Sequence, residues 1–427
     1  MSYPGREKTS WGVRRVGGLD DLPGGGQVCL HGRHAYVGHM RPPHGTSVID
    51  VSDPAAPRVV ARIAPPSPAS HTHKVRVVGD LMITNVEQDD RHALRRAARI
   101  APETAALTAE FGRAPTEAEI AARIGAPEEK MPRLRRSLEE PYAEGGFRVW
   151  NVANPAEPAL LTHVRTHGVG VHRFDMDAAY AYISTEAEGY LGNILVVYDL
   201  ADPAAPREIG RYAAPGQHAA AGEAADWPGL THRLHHALRV GDELWAAWWH
   251  EGFRVLDARD LGAIREIGLW RRPAAFREPT HTVLPLPSRG DGRRFAVAVD
   301  EEHDHRHGTP HALLWVLDVT DLARIEPAAA FDVSERDSPY ARAGLRFGPH
   351  QFAERSLGPV LPVAWFAGGL RLVDLSDPCE PTEVGHYIPA PRGGAAAPQS
   401  NDVDTDDRGL IYLLDRVQGL DILERAA

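Results

Sequence analysis

Cysteine is almost missing from this chain: only Cys29 and Cys379 occur in 427 residues, far apart and in no CxxC arrangement. That excludes a disulfide framework as the organising device and suits a reducing cytoplasm. No apolar run approaches membrane-spanning length, and the opening MSYPGREKTSWG lacks the apolar core of a signal peptide, so a cytoplasmic protein with no membrane partner is expected. Surplus positive charge is lacking too. Against 58 acidic residues stand 47 basic ones, a formal net charge of −11 that offers no general attraction to a polyanion, so nucleic acid is not an expected partner. Nor is there a nucleophile elbow, a P-loop, a dinucleotide fingerprint or a zinc-protease helix. Serine hydrolysis, phosphoryl transfer and hydride transfer therefore lack support.

What the chain does have is repetition. The stretch 231–273 holds one complete unit, in which four short apolar runs separated by tight turns describe an antiparallel meander. Its third strand recurs as TSVIDVSDP (46–54), FRVWNVANP (147–155), LVVYDLADP (195–203), FRVLDARDL (253–261), LWVLDVTDL (314–322) and LRLVDLSDP (370–378), with a truncated copy, GLDILE (419–424), near the end. Each is an apolar strand closed by Asp or Asn and a polar turn, often Asp-Pro, that cannot continue a ladder. Seven copies predict an all-β fold, a seven-bladed β-propeller spanning 1–427. The seventh copy stops after its third strand, and WGVRRVGGL (11–19) reads like the other fourth strands, PREIGRY (206–212) and PTEVGHY (381–387). The N-terminal strand is thus expected to complete the last blade and remove two exposed sheet edges.

These third strands with their Asp-Pro turns resemble the LVIVD-repeat β-propellers, over nearly the whole chain. The resemblance extends to the neighbourhood of the selenium-binding proteins, which implies copper-dependent methanethiol oxidation for some members. The cysteine motif that would signal selenium binding is lacking here.

One segment interrupts the pattern. Residues 89–144 are rich in Ala, Glu and Arg at helical spacing, and Thr116 with Glu119 forms a capping box before Ile120 and Ile124. This α-helical insertion in the second blade is also similar to the helix-turn-helix of bacterial sigma factors. A helical lid is the favoured reading, because Pro132 is expected to interrupt the helix that would read DNA.

Aligning the blades places His73, His172, His235, His281 and His350 at the first position of five innermost strands, with Asn401 and Gly26 in the other two. Innermost strands line the central channel, so residues distant in sequence converge there. Neutral imidazoles suit a transition metal, here Fe(II) or Cu, and five in register are hard to explain by packing alone. Glu87, Glu186 and Glu301 fall where second strands return to that level, and are expected to orient the ligands. His250 and Glu302 occupy comparable places and are candidate catalytic groups. Every long connection, from the insertion to the stretches 188–193, 216–230, 303–311, 334–348 and 389–400, belongs to the histidine face, where binding loops concentrate.

Other histidines carry less weight. His303, His305, His307 and His311 read as a solvated lid loop, while His71, His163, His167 and His232 precede ring positions as possible outer or substrate contacts. His31, His34, His39 and His44 lack the register. Trp248, Trp249 and Trp365 suit the channel wall or blade packing. A multi-histidine site in a propeller channel is architecturally similar to the carotenoid-cleaving oxygenases, whose motifs are not found here. The function expected is a metal-dependent oxidoreductase using O₂ on a small organic substrate. A non-catalytic scaffold for a protein partner and a metal-assisted hydrolase are the alternatives.

Overall fold

The computed structural model describes residues 9–140, 142–224, 233–303, 306–355 and 358–426. His232 and His305 lie outside the described residues. Runs of apolar side chains make the second and third strands of the blades buried on both faces, as in Phe295–Asp300 and Val360–Trp365, while outer strands such as Arg207–Tyr212 are largely exposed. Such strands are stable only when another sheet covers each face. Seven antiparallel meanders satisfy that demand by packing face to face around an axis, which makes the protein a seven-bladed β-propeller.

The fourth blade, His236–Val240, Glu243–Ala247, Gly252–Asp257 and Arg265–Arg271, shows the plan without interruption. Blades two and three are linked at the histidine face by one bridge, Gly170 to Glu87. The last blade is built from Ser400–Thr405, Ile411–Asp415, Gln418–Arg425 and, from the other end of the chain, Val13–Pro23. This strand starts two residues later than the sequence motif. Gly12, at φ +64°, turns the chain so that Ser10–Trp11 pairs instead with Tyr387 and His386 of the sixth blade.

A glycine in the fourth strand governs how tightly blades approach. At Gly210 a Cβ would lie 1.8 Å from the Leu261 carbonyl oxygen in the turn of the next blade, and at Gly17 1.9 Å from that of Pro54. The Gly in PREIGRY and its counterparts is therefore a contact point between blades. Gly210→Ala is expected to destabilise the protein by about 1–3 kcal/mol through this overpacking, read as a lowered urea midpoint. An unchanged midpoint would show that the interface has slack.

The insertion leaves between Leu81–Gln88 and Gly146–Asn151 of the second blade and folds as α1 (Arg91–Leu94), α2 (Ile100–Phe111), α3 (Glu117–Ile124) and α4 (Met131–Glu139). It has its own core of Ile100, Leu107, Ile120, Ile124, Met131 and Leu134. The capping box forms, with Glu119 N–H donating to the Thr116 hydroxyl and Thr116 N–H to the Glu119 carboxylate. Pro132 does not break a helix. It sits in the first turn of α4, where no intrahelical N–H is needed. Among the described residues, no helix is long and apolar enough to cross a membrane.

Candidate metal centre

The ring positions lie just before or within the innermost strands, with His172 inside His167–Met176 and His235 directly before His236–Val240, so blade geometry carries the side chains toward the axis. The result is an arc of imidazoles. Successive ring centroids are 5.2 Å apart from His73 to His172, 5.0 Å from His172 to His235, 4.0 Å from His235 to His281 and 4.3 Å from His281 to His350. His71 extends the arc, 4.3 Å from His73. Two groups gather ligand-type atoms within 4.8 Å of one another, His71 with His73 and Glu87, and His281 with Glu301 and His350. The arc histidines and Glu301, together with Trp249 and several arginines, line a cavity of about 350 Å³.

Burial holds all five ring imidazoles well below their ordinary pKa, reinforced by nearby cations and by one another. They are neutral, and each carries one N–H. Where that proton sits follows from the partners. His235 Nδ1 donates to the His281 carbonyl at 2.7 Å, His350 Nδ1 donates to the Asn401 carbonyl, and His172 Nδ1 donates to Glu87 at 3.1 Å. His281 Nδ1 donates to the Thr282 hydroxyl, whose own proton goes to Gln351 Oε1. In all four, Nε2 keeps its lone pair. His172 Nε2 and His235 Nε2 face each other at 3.2 Å. Two lone pairs in that position repel unless a cation lies between them.

His73 differs. Asn85 Oδ1 accepts from Lys74 N–H, so the amide's other end donates, to the Val171 carbonyl at 2.9 Å and to His73 Nδ1 at 3.1 Å. His73 Nδ1 is thus an acceptor, and its Nε2 bears the proton. At the remaining positions, Asn401 donates its amide to the Gly26 carbonyl at 2.9 Å, and Gly26 has no room for a side chain because a Cβ would meet His73 at 2.7 Å.

The carboxylates separate by role. Glu87 lies behind the ring, bound by His71 Nε2 at 2.9 Å, by His172 and by Arg91 of the insertion. Glu301 lies on the channel side, 3.7 Å from His350 Nε2 and 2.7 Å from Arg346. Burial alone would raise its pKa, but His303, His350 and Arg346 outweigh this and hold it well below the usual range. Among the described residues, Glu186 touches no ring histidine. Arg95 takes its carboxylate at 2.5 Å, with Val169 N–H at 3.0 Å, at the mouth. Glu302 is buried one residue further round, against His311 Nδ1 at 3.1 Å. His250 lines a separate outer cavity of about 790 Å³. These three stand apart from the ring: Glu186 is the last residue of its second strand, while Glu302 and His250 lie two and three residues beyond theirs.

Sequence reading missed the layer beneath. The residue after each ring position is polar: Lys74, Arg173, His236, Thr282, Gln351 and Asp402. Glu354 collects this layer, bound by Arg76, by Arg173 at 2.6 Å, by Gln351 at 2.6 Å and 3.3 Å from His236. Burial pushes Glu354 up, yet Arg76, His236 and Arg173 together hold it well below the carboxylate range. This ionic plug closes the channel on one side of the ring. The insertion, with Arg91 and His92, lines the other.

The LVIVD repeat model matches residues 26–64, 179–214 and 361–388. The chain carries LVIVD repeats. Its matched segments are the first, third and sixth blades, where the third-strand motif ends in Asp-Pro. Among solved structures it is similar to Raptor of Chaetomium thermophilum, with TM-score 0.56 and 11% identity over 97% of this chain and 29% of that one. It is also similar to the C-terminal WD40 domain of Sif2, with TM-score 0.54 and 10% identity over 97% and 99% of the two chains. The chain thus spans under a third of the Raptor chain and nearly all of the Sif2 domain. At such identity the likeness shows the propeller fold alone. No curated protein matches the sequence.

Proposed function

We propose that this LVIVD-repeat propeller is an oxidoreductase that holds Fe(II) or Cu on His172, His235, His281 and His350 and uses O₂ to oxidise a small organic substrate. One observation carries the reading: the facing Nε2 atoms of His172 and His235, with both Nδ1 protons already committed outward. Nitrogens bound about 2.0–2.1 Å from one ion at tetrahedral to right angles lie roughly 2.9–3.4 Å apart, and the observed 3.2 Å falls in that interval. An all-imidazole set suits a transition metal and leaves it cationic. Such an ion, when bound, supplies redox and Lewis-acid chemistry.

The chain's own residues do the rest. Backbone carbonyls, Thr282 and Glu87 fix four histidines in the ligating tautomer. His73, which lines the cavity, carries its N–H on Nε2 and would offer it as a hydrogen-bond donor to a substrate. Glu301, oriented by Arg346, offers a carboxylate beside His350. The plug below and the insertion above limit water access. The finer kinship, with the copper-dependent thiol oxidases among the selenium-binding proteins, belongs to the same reading. It is supported by the repeats and the imidazole donors, while Cys29 is buried in the core and Cys379 is exposed.

Reconstitution with Fe(II) and, separately, Cu, followed by elemental analysis, tests the centre. About one equivalent of metal is expected, and oxygen uptake with thiols, phenols or alkenes would then name the substrate class. Retention below about a tenth of an equivalent of every transition metal would favour a non-catalytic scaffold.

A further inference from the structure

One buried cation stands at the threshold between the two cavities with no carboxylate paired to it among the described residues. Arg233 is 4% exposed, lines both cavities, and its Nε has no hydrogen-bond partner. Its neighbours are otherwise provided for. Arg91 pairs with Glu87, Arg346 with Glu301 at 2.7 Å, Arg41 with Asp90 at 3.0 Å and Arg95 with Glu186 at 2.5 Å. Arg233 has only the face of Trp249, 4.4 Å from its guanidinium carbon, and no carboxylate pairs with it among the described residues.

Leaving a guanidinium buried without a counter-ion is costly, and proteins do so where a ligand supplies the charge. Arg91 lines the inner cavity and Arg95 the outer one, so further guanidiniums flank the place on both sides. Trp249 adds a second sign of construction. It adopts φ +54°, a left-handed conformation that a bulky residue takes only when its surroundings enforce it. In that pose the indole lies between Arg233 and the ring, 5.2 Å from His235 and 5.3 Å from His303. Arg416, on the lining of the inner cavity, donates to Asn401 Oδ1 at 2.9 Å and likewise has no carboxylate partner among the described residues.

We propose that the ligand of this chamber is an organic anion, whose carboxylate or phosphate head group binds Arg233 while its body lies along Trp249 toward the ring histidines. Calling that ligand the substrate rests on the reading under Proposed function, but the anion site does not. Its position beside His235 brings an atom next to the head group toward the imidazole arc. Arg233 is then a positioning residue that selects charged substrates over neutral ones of the same shape.

Calorimetric titration of the full chain, metal-free and metal-loaded, with benzoate, phenyl phosphate and benzamide tests this. One of the two anions is expected to bind at least about tenfold more tightly than benzamide, and the tighter of the two names the head group. Arg233→Gln should weaken that anion by at least about tenfold, and Arg233→Lys by less, with metal content unchanged in both. Benzamide binding as well as either anion to the native chain overturns the proposal, as does undiminished anion binding by Arg233→Gln. A native chain that binds the anion but no metal would remove the redox centre and leave this site standing.

Discussion

Replacing His235 by glutamine is expected to cut bound transition metal from about one equivalent to below about a tenth, and oxygen uptake to background. His235 is the keystone because it acts twice: its Nε2 faces His172 at 3.2 Å, and its Nδ1 is anchored on the His281 carbonyl at 2.7 Å. Loss of an outer hydrogen-bond partner typically costs about 10–100-fold in metal affinity, and loss of a donor atom costs more. Glutamine keeps much of the volume, and removing the facing lone pair relieves repulsion in the metal-free protein, so that state should not be destabilised. His39→Gln supplies the control. His39 is also buried, but it is bonded to the Pro23 carbonyl and Ser47 away from the ring, and its replacement should leave the metal untouched. If both variants load like the native chain, the arc of imidazoles is structural.

Through its ring histidines, the metal-free protein should lose stability as pH falls below about 6.5. The ring histidines have pKa values well below the ordinary imidazole value because burial penalises their charged form. The unfolded chain therefore takes up protons first. Their contribution to stability is full above the unfolded value of about 6.5 and is lost progressively as pH falls from there toward the folded value. Each histidine contributes a slope of up to about 1.4 kcal/mol per pH unit, so five set a ceiling near 7 kcal/mol per unit. Urea midpoints at pH 7.5 and 5.5 should differ strongly for the native chain and less for a variant with two ring histidines changed to glutamine. Added metal at about a thousand times its dissociation constant should contribute about 4 kcal/mol at neutral pH, and lose that margin as protons compete for the same nitrogens. A midpoint that does not move between the two pH values would mean the imidazoles are solvated.

Much of this architecture is legible in the residues themselves. The recurrence of apolar strand, Asp and polar turn dictates seven meanders, because only repeated sheets packed face to face can bury strands that are apolar on both sides. Blade register then puts His73, His172, His235, His281 and His350 at one level, since the first residue of an innermost strand has one place to go. The helical insertion is legible from its capping box, although the effect of Pro132 is not: a proline breaks an interior turn and suits a first one, and only the helix boundary distinguishes them.

What tertiary structure alone decided is which groups reach which atoms. A one-residue shift at a strand end sends Glu301 into the channel while Glu302 turns to His311 and Glu186 to Arg95. No periodicity in the sequence encodes that difference. His71 joins the arc through a bridge across the blade, and backbone carbonyls, which carry no sequence signal, anchor two of the rings. The opposite tautomer of His73 depends on the direction of one amide, set by Lys74 N–H and the Val171 carbonyl. The chain's pattern of apolar and polar residues thus fixes the ring of blades and the height of the histidines. Hydrogen bonds and charges between blades, formed only once the circle closes, decide which of those histidines hold a lone pair toward the axis.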